Sequence, residues 1–154
     1  MSAERTSLHG QRGQMGPAIS PLRRILVVDD DPSIRQVISQ LLIRCGHHVD
    51  AAPDGSVAWT ILQQNMYDLL VTDIEMPRVS GVDLVKRVRS ARMELPVIFV
   101  SGRLPTEELS LLPDPHLSTT LSKPFTGDEL TSTVTEVLRV RDSHRRAAVP
   151  PPSL

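Results

Sequence analysis

Cysteine is nearly missing from this chain of 154 residues: Cys45 stands alone. That excludes an internal disulfide framework and any multi-cysteine zinc site, and it fits a reducing compartment. Its place on the apolar side of a helical pattern predicts a buried thiol. Aromatic residues are also sparse, with one tryptophan, one tyrosine and two phenylalanines, so the isolated Trp59 and Tyr67 are expected to serve packing. Neither sign of charge dominates, the formal net charge being −1, so the whole-molecule field does not steer the chain toward nucleic acid or an anionic membrane. Long apolar runs are missing too: "ILVV" and "VIFV" are the longest aliphatic stretches, far too short to cross a bilayer. The first twenty residues contain no continuous apolar segment of the kind a secretory signal needs. The expectation is a soluble, cytoplasmic protein. There is also no G-x-G-x-x-G and no P-loop, which excludes the common nucleotide-binding sites.

What is there is one domain's worth of alternating pattern. Residues 1–22, rich in Gly, Ser, Gln and Arg without a hydrophobic period, read as a disordered arm, and residues 142–154, ending in "VPPPSL", as a disordered tail. Residues 23–141 alternate short β-type runs with helical ones. Ile25–Val28 leads into a helix with Ile34, Val37, Ile38, Leu41, Leu42 and Cys45 on one face, stopped by Gly46. A strand near His48–Ala51 and a helix carrying Val57, Ala58, Ile61 and Leu62 follow. Next come "DLLVTD", the loop "IEMPRVSG", a helix around Val82–Arg92 and "LPVIFVSG". The remainder is "TEELSLL", the break "PDP", "HLSTTLSKPF" and a helix from about Thr126 to Arg141. Five strands alternating with five helices predict an α/β fold with a doubly wound parallel sheet. In such a fold, ligands meet the loops that leave the carboxyl ends of the strands.

Those strand ends carry chemistry. The first strand ends in Asp29 and Asp30, the third in Asp73, the fourth in Ser101, and Lys123 follows the fifth. Each alone reads as a cap or a solvated group. Together they describe an acidic cluster with one hydroxyl and one ammonium. Carboxylates suit a hard cation such as Mg²⁺, which favours oxygen ligands and phosphate, while the hydroxyl and ammonium can engage other oxygens of a phosphoryl group. Asp31, just before Pro32, is better read as the N-cap of the first helix.

With "ILVVDDDPSIR", "DLLVTDIEMPRVSG", "LPVIFVSG" and "LSKPF" in that order, the chain resembles the receiver domain of two-component response regulators, over roughly Arg23 to Arg141. The resemblance implies a flavodoxin-like, CheY-like receiver fold, a five-stranded parallel sheet in the order 2-1-3-4-5. It makes Asp73 the phosphoacceptor, taking a phosphoryl group from a sensor histidine kinase or a histidine phosphotransfer protein. It also implies that Asp30 and Asp73 bind Mg²⁺ directly, with the backbone carbonyl of Glu75 as a further ligand and Asp29 acting mostly through a bound water. Ser101 is then the signalling hydroxyl, and Lys123 pairs with a phosphoryl oxygen. The Lys123–Pro124 peptide bond is expected to be cis. Such a protein modifies itself and turns over no metabolite.

The chain departs from the family at two places. Thr120 stands three positions before the lysine, where many receivers carry an aromatic switch residue, and Pro113 and Pro115 should end the fourth helix early. A helix so shortened weakens the case for dimerisation through the surface it shares with the last strand and helix. Glu75 and Arg103, two residues beyond the phosphoacceptor and the hydroxyl, either pair across the site or stand as solvated charges. No effector domain is expected after the last helix, so the output is protein contact or onward phosphotransfer. The basic end, Arg139 to Arg146, is expected to be solvated and not to bind nucleic acid. A second reading, a pseudo-receiver that keeps the fold as an interaction module without phosphorylation, is opposed by the full acidic set and left open by Thr120 and "PDP".

Overall fold

Every residue from Ile25 to Val28 is buried, although neighbours along a strand point to opposite faces. A run of this kind needs helices on both sides of the sheet, and the computed structural model has them. It describes residues 22–103, 106–150 and 152. In chain order these form β1 (Arg24–Val28), α1 (Pro32–Arg44), β2 (His48–Ala52), α2 (Gly55–Gln64), β3 (Leu69–Asp73), α3 (Gly81–Ser90), β4 (Val97–Ser101), α4 (Thr106–Ser110), a 3₁₀ turn (Pro115–Leu117), β5 (Ser118–Ser122) and α5 (Gly127–Ala148). The strands are all parallel, in the order β2-β1-β3-β4-β5. The expected arm lies, apart from Leu22, outside the described residues.

Strand periodicity divides the core into two layers. Leu26, Val28, Leu70, Val97 and Phe99 face α2, α3 and the segment around Leu112. Ile25, Val27, Leu69, Val71, Ile98 and Val100 face α1 and α5, where Ile38, Leu42, Leu130, Val134 and Leu138 meet them. Each such side chain contributes about 1.5–3 kcal/mol by burial.

Capping fixes where the helices start. The Asp31 carboxylate accepts from the Ser33 and Ile34 amides, with Pro32 at the first helical position, as the sequence predicts. Gly46, at φ +93°, turns the chain out of α1 in a conformation other residues resist. Cys45, expected to be buried, is exposed. It caps α1 beyond Leu42, the last α1 residue in the buried layer. Val37 is also exposed, at 53%, because it lies roughly 100° around the helix from the stripe of Ile38 and Leu42.

Two prolines end α4 after five residues, and Asp114 between them takes a left-handed φ of +54°. α5 begins with a capping box between Thr126 and Glu129 and runs 22 residues. It passes the expected end at Arg141 and continues into what read as tail. Arg23 pairs with Asp142 at the start of this extension, and Arg141 just before it, expected to be solvated with the rest of the basic end, is instead held at the base of the sheet, donating to the Asp68 carboxylate at 2.7 Å and to its carbonyl at 2.9 Å. No helix among the described residues is long and apolar enough to cross a membrane.

Candidate functional site

Strand register brings the strand-end residues together. Val28 lies opposite Thr72, so Asp29 and Asp73 leave neighbouring central strands at one level. Asp73 pairs with Val100, and Ser101 with Ser122, which puts Ser101 and Lys123 one residue further along the same edge. The sheet changes direction of winding between β1 and β3, and that is where a doubly wound sheet opens its crevice.

Asp29 is almost wholly buried, at 1% exposure, and both its oxygens are engaged. Oδ1 accepts the Asp31 amide at 2.9 Å, and Oδ2 lies 3.4 Å from Lys123 Nζ. Asp73 is arranged in the same way. Its Oδ1 accepts the Ile74 amide at 2.7 Å and the Glu75 amide at 3.4 Å, while Oδ2 faces Lys123 Nζ at 3.5 Å. One ammonium thus bridges two buried carboxylates. Asp30 is exposed on the rim, and one oxygen from each of Asp29, Asp30 and Asp73 lies within 4.8 Å of the others.

Burial pushes the Asp73 carboxyl above its ordinary range. Lys123 opposes that shift, Asp29 adds to it, and the Ile74 and Glu75 amides oppose it. Three carboxylates against one ammonium leave a concentration of negative charge with oxygen donors only, a donor set suited to a hard divalent cation and unsuited to a soft one.

Ser101, 2% exposed, points to its own loop: its hydroxyl donates to the Arg103 carbonyl at 2.8 Å and accepts the Arg103 amide at 3.2 Å. It makes no hydrogen bond to Asp73 among the described residues. The loop "MPRVSG" is built around a close approach. A methyl group on Gly81 would sit 2.0 Å from the Asp73 carbonyl oxygen, and the Gly81 amide donates to the Ile74 carbonyl at 2.9 Å. Glu75 and Arg103 are both exposed, and no ion pair joins them among the described residues. Thr120 is exposed on β5, and the Lys123–Pro124 peptide is cis, as the resemblance implied.

Two arginines received no role from the sequence. Arg78 sits in the loop after Asp73 with φ +69° and reaches Asp54 at 3.5 Å. Arg35 Nη1 donates to the main-chain carbonyl of Asp29 at 2.8 Å. The signal for Arg35 was its place six residues after Asp29, which lets a first-turn side chain fold back over the helix N-terminus.

A family model described as "Response regulator receiver domain" matches residues 25–135. Among curated proteins, the transcriptional regulatory protein DltR of Streptococcus agalactiae is 38% identical over 120 residues, 78% of this chain and 53% of that protein. The chain therefore spans about half the length of that relative. The response regulator receiver protein CpdR of Brucella abortus is 32% identical over 120 residues, covering 76% of this chain and 98% of CpdR. Among solved structures, the chemotaxis protein CheY4 of Vibrio cholerae superposes with a TM-score of 0.69 at 30% identity, covering 75% of this chain and 98% of that one.

Proposed function

The chain belongs to the response regulator receiver family, and from that premise we propose that it accepts a phosphoryl group on Asp73 from a phosphohistidine of a sensor kinase or phosphotransfer protein. The observation that carries this reading is the convergence on one crevice of Asp29, Asp30, Asp73 and Lys123, with Lys123 Nζ 3.4 Å and 3.5 Å from the two buried carboxylates.

The chemistry follows from how Asp73 is held. The Ile74 and Glu75 amides occupy Oδ1, so Oδ2, which faces the Lys123 ammonium, is the nucleophilic atom. A new Oδ2–P bond forms as the P–N bond to the donor imidazole breaks, and the leaving nitrogen keeps the bond's electron pair and takes a proton from solvent. Lys123 is within reach of the charge that builds on the transferring oxygens. Asp30, Asp73 and the Glu75 carbonyl are the residues to hold Mg²⁺, with Asp29 acting through water. When bound, the ion neutralises charge on the transferring group.

Signalling follows from Ser101. Its hydroxyl must leave the Arg103 backbone to bond a phosphoryl oxygen, and the segment Gly102–Arg103 after β4 moves with it. The exposed Thr120 supplies no ring to swing inward, so the readout is the loop displacement itself, sensed by a protein partner or followed by transfer to another histidine. The domain acts only on itself, through its own phosphorylation and slow dephosphorylation.

The test is incubation with acetyl phosphate and Mg²⁺ followed by intact-mass measurement. One added phosphoryl group is expected, lost on chelation of the metal and in Asp73→Ala. A protein that binds its partner but never gains the group would be the pseudo-receiver instead.

A further inference from the structure

We propose that Arg35 is a positioning residue for the metal site, a role that rests on reading Asp29, Asp30 and Asp73 as that site. β1 ends at Val28, so the carbonyl of Asp29 emerges past the sheet ladder while its residue is still buried at 1% exposure. A buried carbonyl without a donor is left with its desolvation uncompensated.

The nearby amides are already committed. Asp31 N–H bonds the Asp29 carboxylate, Ser33 and Ile34 N–H bond the Asp31 carboxylate, and Arg35 N–H bonds the Asp31 carbonyl. Among the described residues the one donor on the Asp29 carbonyl is the Arg35 guanidinium, at 2.8 Å. That carbonyl belongs to the peptide joining Asp29 to Asp30. Asp29 is anchored further by Lys123 and by its own amide, which donates to Ala52 at 3.3 Å. Asp30 is exposed and its carboxylate has no hydrogen bond among the described residues, so the orientation of this peptide is what aims it. Arg35 therefore fixes the peptide that presents Asp30 to the cation.

Arg35 also brings a positive charge toward a cation site, and the two effects have opposite signs. If the charge governs, removing it tightens Mg²⁺ binding; if positioning governs, removal weakens binding. Supporting interactions behind metal ligands are typically worth 10- to 100-fold in affinity.

The experiment is calorimetric titration of Mg²⁺ into the unphosphorylated full chain, for wild type, Arg35→Ala and Arg35→Lys, with thermal unfolding as a check on the fold. Arg35→Ala should bind Mg²⁺ on the order of 10-fold more weakly. Arg35→Lys, which keeps a donor on a long stem, should recover most of the loss. Unchanged or tighter binding in Arg35→Ala overturns the proposal while leaving the receiver reading intact. If Arg35→Ala does not fold, Arg35→Gln replaces it, and failure of both to fold makes Arg35 structural and also overturns the proposal. A wild-type protein that binds no Mg²⁺ overturns the reading on which it rests.

Discussion

Gly81 has no room for a side chain, because a methyl group there would collide with the carbonyl oxygen of Asp73. Gly81→Ala should destabilise the protein by about 1–3 kcal/mol and slow phosphorylation, measured by urea unfolding and by rate of mass gain. The three consecutive aspartates divide their work in a testable way. Asp31→Asn should leave stability within a few tenths of a kcal/mol, since both residues cap well, and should retain Mg²⁺-dependent phosphorylation. Asp30→Asn should severely impair it, and equal losses in the two variants would refute the division. His47, whose imidazole is held below its ordinary value of 6.5 by burial and then by Arg23, with Asp68 opposing, adds a pH dependence. The neutral ring is favoured in the folded state, so the stability tied to it is complete above the ordinary value and declines as pH falls through the lowered one. His47→Gln should show a smaller loss of urea midpoint between about pH 7.5 and about pH 5 than wild type. At this scale the sequence was informative where chemistry sits at strand ends: Asp29, Asp30, Asp73 and Lys123 are gathered as read. Arg35 was missed although its spacing from Asp29 was a signal, because that spacing permits a side chain to fold back over a helix start without requiring it, and Arg78 was not legible because its place depends on a left-handed backbone angle. Cys45 was misjudged because periodicity says which face a residue lies on and nothing about where the covering layer ends.

Among the elements, the strands were legible because parallel strands buried on both faces are continuous apolar runs. The helix starts were legible from caps such as Asp31. α4 ended early, as Pro113 and Pro115 required. The end of α5 was not legible, since "DSHRRAA" has no apolar stripe and the ion pairs at its start reach residues distant in the chain, Asp142 to Arg23 and, one residue earlier, Arg141 to Asp68. Asp142→Ala should therefore speed hydrogen exchange in the last two turns of α5 while global stability falls by less than about 1 kcal/mol, in keeping with a partly exposed pair. Equal exchange in both proteins would show that the extension holds itself.

For the whole molecule, the fold concentrates negative charge at one end of a parallel sheet and balances it incompletely with Lys123. A ligand that binds the folded state alone stabilises it by mass action, so Mg²⁺ at about 100 times its dissociation constant should add about 2.7 kcal/mol, read as a rise in melting temperature absent in Asp30→Asn. The central claim is chemical, that Asp73 becomes an aspartyl phosphate. An acyl phosphate is reduced by borohydride to the alcohol, converting the aspartate to homoserine, and peptide mass mapping then locates the modified residue. After treatment with acetyl phosphate and Mg²⁺, the expected result is homoserine at position 73 alone; homoserine at another aspartate, or none at all in a folded, Mg²⁺-bound protein, would contradict it.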